Sequence, residues 1–233
     1  MRSFYLLNGW AMSAAAMAPL AEALTPRGQV TVLSLSDYMQ ASVEQSLAHL
    51  TRLIPPQTHL VGWSLGGMLA TQLATRGNYL SVTRLGANLR FVASPTWPWA
   101  MSQNEFNAFY ERQMAFPTRN LKQFEKLCWQ GASHSEKATH TLVDLNADAQ
   151  HLRWGLDTLA QLDNTQALNQ TTIPQLHVFA THDALVPVAV HSHIQNYWPH
   201  IHSVQVAGCH AFPVQSPHAV ARVIYSFLHD HHA

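Results

Sequence analysis

Short apolar runs alternate with amphipathic stretches along the first part of the chain. Ser3-Phe4-Tyr5-Leu6-Leu7, Gln29-Val30-Thr31-Val32-Leu33, His59-Leu60-Val61 and Asn88-Leu89-Arg90-Phe91-Val92-Ala93 each read as a strand. Each is too short for a helix and is followed by turn or helix-start residues. Helical spacing fills the gaps. Residues 13–24 open with Ser13 in N-cap position and stop at Thr25-Pro26-Arg27-Gly28. Residues 42–53 end before Pro55-Pro56, and residues 65–75 follow directly on the third strand. Strands joined by helices predict βαβ units with right-handed crossovers, hence a largely parallel sheet covered on both faces.

From residue 97 to residue 168 the pattern is helical throughout, with Phe106, Phe109, Phe124, Trp129 and Trp154 supplying large apolar groups. Strand-like runs resume at residues 175–180 and 202–206, and a final helix is expected from Ser216 to Leu228. The organisation read from this is one core, residues 1–96 and 169–233, with a helical lid, residues 97–168, inserted between its fourth and fifth strands.

Composition narrows the function classes. With 233 residues, 47% of them apolar, the chain can fill such a core. Thirteen basic residues balance thirteen acidic ones and only 11% of residues are charged. No global field would therefore draw in nucleic acid or a membrane surface. No apolar run approaches the ~18 residues of a membrane span. The charged and apolar start at Met1-Arg2 is interrupted at once by Asn8-Gly9, so a cytoplasmic protein is expected rather than a secreted one. Cys128 and Cys209 have no metal or redox spacing and read as reduced thiols. Among sixteen histidines only the terminal His229-Asp230-His231-His232 could chelate, and it reads as a polar tail. No metal and no cofactor is expected, and a monomer is.

The chemistry centres on Gly62-Trp63-Ser64-Leu65-Gly66-Gly67, where an apolar strand turns sharply into a small-residue helix. A serine at the tip of such a turn needs a base, an acid that orients the base, and backbone donors for the oxyanion. In a parallel sheet these groups collect at the carboxyl ends of the strands. Asp183 lies just past the run ending at Ala180, and His210 just past the run ending at Val206. The order Ser64, Asp183, His210 is the one expected of a nucleophile-elbow fold. His182 and His218 compete for the base role, but His182 belongs to the acid's loop and His218 to the start of the last helix. Backbone N–H groups of Trp10 and Leu65 are the candidate oxyanion donors. Gly-x-Ser-x-Gly alone is a common chance match, so the weight rests on the combination.

These motifs resemble the α/β-hydrolase superfamily and, within it, the BioH-like pimeloyl-[acyl-carrier-protein] methyl ester esterases. The wider resemblance rests on the Ser64 elbow, on Asp183 in His-Asp-x-x-Val-Pro, and on His210 with its following Ala-Phe-Pro. The narrower one rests on Leu7-Asn8-Gly9-Trp10, Val92-Ala93-Ser94-Pro95, the lid pattern over residues 121–131, Gly155-Leu156 to Leu162-Asp163, and Tyr197-Trp198-Pro199-His200. The resemblance implies an α/β-hydrolase fold trimmed to about six strands, without the N-terminal antiparallel hairpin. It implies hydrolysis of the methyl ester of pimeloyl on acyl carrier protein, with Trp10, Trp63, Phe109 and Phe124 lining the acyl channel. It also implies a histidine before the glycine of the oxyanion turn, where this chain has Asn8, so that loop must be supported differently.

All three lysines, Lys122, Lys126 and Lys137, fall in the lid, and Arg119, Lys122 and Lys126 are spaced to share one helix face. Arg119 and Lys122 fall about where the resemblance puts carrier-binding basic residues. An acidic acyl carrier protein is the partner expected there; a plain solvated face is the other reading. The same triad would also serve a generic short-acyl esterase or a carbon–carbon bond hydrolase, and a non-catalytic ligand receptor or interaction protein can retain it.

Overall fold

The structure is a computed structural model that describes residues 2–132 and 141–231. Six parallel strands form one sheet in the order β2-β1-β3-β4-β5-β6. They are β1 (Arg2–Leu7), β2 (Gly28–Leu33), β3 (His59–Trp63), β4 (Ser81–Leu85), β5 (Gln175–Ala180) and β6 (His202–Val206). Every residue of β3, β4 and β5 is buried, as a parallel sheet covered on both faces requires. The helices of seven residues or more among the described residues are α1 (Ala18–Leu24), α2 (Val43–Leu53), α3 (Leu65–Ala74), α4 (Gln103–Ala115), α5 (Pro117–Cys128), α6 (Ala149–Gln161), α7 (Ala189–Tyr197) and α8 (Pro217–Asp230). Helix α1 packs on α8, and α2 on α3. Among the described residues, α4 to α6 and a short helical turn, Ala167–Gln170, stand between β4 and β5 in the chain. No helix among the described residues is long and apolar enough to cross a membrane.

Three elements differ from the sequence expectation. The fourth strand is Ser81–Leu85, not residues 88–93. Its pattern is hidden by Arg84, a residue type almost never buried without partners, which here is 1% exposed. Its Nε donates to Thr71 Oγ1 and its Nη2 to Gln175 Oε1, both at 2.7 Å. With burial and no acid to offset it, the guanidinium is pulled down to about 9. The apolar run at 88–93 is buried yet joins no ladder; Val92 makes only an isolated bridge to Met101. Over residues 13–24, Pro19 falls in the first turn of α1, and the preceding residues form a separate tight turn, Ala14–Met17, capped by the Ser13 side chain. Helix α7 was not expected, because its inner face rests on just Val190 and Ile194. At the terminus, α8 carries His229 and Asp230, while His232 and the lid's Lys137 lie outside the described residues.

Two buried imidazoles make the fold sensitive to acid. His59 in β3 shares a hydrogen bond with Ser81 Oγ at 2.9 Å, and burial with the nearby Arg2 charge lowers its pKa to about 4. His177 in β5 is lowered well below its usual value by burial and by Arg84. A neutral imidazole is the folded form of both. Their contribution is complete above the unfolded pKa near 6.5 and is lost as pH falls from there toward the folded value. Each can steepen the loss by up to ~1.4 kcal/mol per pH unit. Urea midpoints should therefore drop between pH 6.5 and pH 4.5, and His59→Gln should flatten that slope; an unchanged slope would exclude His59 as a source.

Candidate active site

The candidate residues Trp10, Ser64, Asp183 and His210 all follow the carboxyl ends of strands, β1, β3, β5 and β6. Ser64 follows β3 and adopts φ 55, ψ −120, a region that residues with a Cβ rarely occupy. The turn is this sharp because glycine flanks it. A Cβ on Gly66 would stand 2.2 Å from the Leu7 carbonyl oxygen and 2.6 Å from that of Asn8. The serine is 9% exposed, lifted from the sheet onto the N-terminus of α3. Leu65, first residue of α3, carries one of the N–H groups that helix geometry leaves unpaired.

Asp183 and His210 meet although they come from different strands. His210 Nδ1 donates to Asp183 Oδ2 at 2.7 Å, with the two side chains 0% and 1% exposed. Asp183 Oδ1 accepts the Leu185 and Val186 N–H groups at 2.8 and 2.9 Å, which fixes the carboxylate against the imidazole. With its proton on Nδ1, the neutral ring carries a lone pair on Nε2, an atom with no hydrogen-bond partner among the described residues. Gly86, at φ +51 after β4, lies under the pair; a Cβ there would come within 3.3 Å of Asp183 Oδ2 and 3.4 Å of His210 Nδ1. Sequence reading passed over this glycine, whose only signal is its place at a strand exit. His182 lies in the acid's loop and hydrogen-bonds Thr181; His218 begins α8.

The first turn carries the other candidate donor. Asn8 is 1% exposed, and its Nδ2 donates to the Met12 carbonyl at 2.6 Å, closing the loop around Trp10. This is the support that stands where a histidine was expected. The Trp10 indole Nε1 donates to the Leu152 carbonyl at 2.8 Å, and its ring packs edge-on against Phe109 and Phe124 with centroids 5.4 and 4.8 Å away.

Trp10, Phe109 and Phe124, three of the four residues expected to line a channel, share a small apolar cavity with Ser64. Trp63 does not line it. Trp63 is fully buried and donates its indole N–H to the His210 carbonyl at 3.1 Å, holding the histidine loop from behind. The remaining lining is Phe91, Met101, Leu127, Leu159 and Leu185, which sequence reading missed because single apolar residues carry no signal of convergence. The cavity has room for about 20 Å³, roughly one water molecule, so anything larger would need its lining side chains to move. A lone pair aimed from a fixed imidazole, a strained serine and a dry apolar wall can together support acyl transfer.

Arg119, Lys122 and Lys126 lie on the outer face of α5, all exposed, beside Arg112 and Phe116 along an open groove of about 870 Å³. The opposite face of α5 buries Leu121, Phe124 and Cys128. Cys128 and Cys209 are both buried free thiols, and burial pushes the Cys128 thiol well up. Among the described residues no group of three or more His, Cys, Asp or Glu could hold a metal ion.

Comparison with known proteins agrees with this architecture. The chain is 37% identical over 210 residues to the biotin biosynthesis bifunctional protein BioHC of Teredinibacter turnerae, covering 83% of this chain and 37% of that one. It is 29% identical over 232 residues to the pimeloyl-[acyl-carrier protein] methyl ester esterase of Xanthomonas oryzae pv. oryzae, covering 94% and 84%. The chain spans less than half the length of the bifunctional relatives it matches. Among solved structures, the bromoperoxidase of Bacillus anthracis superposes with a TM-score of 0.86 over 98% of this chain and 92% of that one, at 17% identity. The alpha/beta hydrolase family model matches residues 4–223, nearly the whole chain that builds the sheet and the elbow, and the chain belongs to that family.

Proposed function

We propose that the chain is a serine carboxylic ester hydrolase that cleaves the methyl ester of a pimeloyl group borne on acyl carrier protein, in the synthesis of the biotin precursor. The observation that carries the reaction class is the hydrogen-bonded Asp183–His210 pair at the same sheet edge as the strained Ser64, beside an apolar cavity. Relatives named for this substrate support the narrower reading.

In the proposed cycle the Ser64 hydroxyl attacks the ester carbonyl while His210 Nε2 takes its proton. The oxyanion accepts the Trp10 and Leu65 N–H groups. Collapse expels methoxide, which leaves as methanol with the proton from His210. Water then repeats the sequence on the acyl-enzyme, and the products are methanol and the free carboxylic acid. Asp183 keeps the proton on Nδ1 and stabilises the imidazolium that forms in each half.

The basic groove along α5 is the proposed docking surface for the carrier. Arg119, Lys122 and Lys126 line it together with Arg112. Glu125, the acid nearest in sequence, has its carboxylate engaged by the Leu142 N–H at 2.7 Å. Reversing charge at Arg119 and Lys122 is expected to raise KM for a carrier-bound methyl ester about tenfold, equivalent to ~1.4 kcal/mol, while sparing a free ester. Equal effects on both substrates would remove the docking surface from the account. The gene should also restore biotin-free growth to a strain lacking its pimeloyl ester esterase, and its Ser64→Ala version should not. Failure of the wild-type gene in that assay, with ester hydrolysis intact, would leave the esterase and discard the substrate.

A further inference from the structure

Helix α6 comes close to the side chains of both residues whose backbone N–H groups are the proposed oxyanion donors. At Gly155 a Cβ would stand 2.4 Å from Trp10 Cδ1, 3.1 Å from Trp10 Nε1 and 3.5 Å from Leu65 Cδ2. Three residues earlier on the same helix, the Leu152 carbonyl accepts the Trp10 indole N–H at 2.8 Å. Trp10 has little freedom to yield, being 1% exposed and packed on Phe109 and Phe124. The loop is tied to the helical layer a second time. Asp144 N–H donates to the Ala11 carbonyl and Ser13 N–H to that of Leu142, each at 2.9 Å, and Met12 bridges Val143. Ala11 itself, next to Trp10, sits at φ 57, a left-handed conformation that a residue with a Cβ adopts under constraint.

We infer that Gly155, with the Leu152 carbonyl, positions the oxyanion hole: α6 rests its backbone on Trp10 and Leu65 and fixes the distance between their N–H groups. The inference rests on the serine-esterase reading above, since it presumes an oxyanion at that point. Its physical basis is steric. Only a residue without a side chain lets the helix axis come this close to the indole, and any outward displacement moves two donors relative to one oxygen. Donors aimed at a developing charge lose effect steeply when misplaced. The helical layer is thereby part of the catalytic apparatus as well as a cover.

Gly155→Ala is expected to lower kcat for a short p-nitrophenyl ester at least tenfold, with KM within threefold of wild type. Affinity for a trifluoromethyl ketone, whose hemiketal carries the oxyanion, should fall by the same factor as kcat/KM, whereas binding of the parent methyl ketone should not change. Alanine is the better helix former, so propensity alone predicts no loss. Trp10→Phe keeps an aromatic ring and removes the bond to Leu152; it should move the same quantities in the same direction, and it carries the test should Gly155→Ala fail to fold. A folded variant with wild-type kcat, or a fall in kcat that leaves trifluoromethyl ketone affinity untouched, would overturn the inference. Wild-type protein with no Ser64-dependent hydrolysis would overturn it together with the reading it rests on.

Discussion

Replacing Ser64 by alanine is expected to abolish hydrolysis of a p-nitrophenyl ester, a loss of roughly 10⁶-fold in kcat if the serine is the nucleophile. Among the described residues no other hydroxyl lines the cavity shared by Trp10, Phe109 and Phe124, so none of them could take over the attack. The folded state should be little affected. The backbone at this residue already occupies φ 55, ψ −120, and alanine inherits that strain unchanged. Ser64→Gly separates the two effects. Glycine enters this region freely, so the glycine variant should be as inactive as the alanine variant but more stable than it by about 1 kcal/mol. Paired urea melts and ester assays measure both. Residual hydrolysis above one part in a thousand in either variant would mean that Ser64 is not the attacking group.

The site was legible in the sequence to the extent that its parts are local. Ser64 announces itself through the apolar strand before it, the glycines around it and the small-residue helix after it. Asp183 and His210 stand directly after β5 and β6, runs whose length and composition mark them as strands. The candidate oxyanion turn, Asn8-Gly9-Trp10, could be located at the exit of β1 for the same reason, one strand exit being like another. What could not be read was whatever depends on partners distant in the chain. Arg84 kept β4 from reading as a strand because the groups it bonds, Thr71 and Gln175, come from a helix and another strand. Trp63 was expected in the channel because it is aromatic and adjacent to the nucleophile. Alternation along the strand puts neighbouring side chains on opposite faces, and its indole ends up beneath the His210 loop. Gly155 entered the sequence reading only as part of a resemblance and Leu152 not at all, since their contacts depend on how closely one helix approaches a loop more than 140 residues earlier.

Asp183→Asn should lower kcat by about 10⁴-fold while leaving KM nearly unchanged, the size expected when an imidazole is held in the wrong tautomer. The argument depends on what surrounds the carboxylate. Oδ1 accepts two backbone N–H groups, from Leu185 and Val186, and Oδ2 accepts from His210 Nδ1. An asparagine at this position can keep its oxygen on the two backbone donors, which turns its NH₂ toward His210. The imidazole must then present a lone pair at Nδ1 and carry its proton on Nε2, where it can no longer accept from Ser64. The flipped amide would restore the histidine tautomer but set its NH₂ against two backbone N–H groups, leaving both buried donors unpaired at roughly 1–3 kcal/mol each. The first arrangement wins on that margin. Two observations check it together: steady-state kinetics with a free ester, and ¹⁵N chemical shifts of His210, which should move the proton from Nδ1 to Nε2. A variant within tenfold of wild-type kcat, or one whose ring proton stays on Nδ1, would show that the Asp183 carboxylate does not set the state of the base.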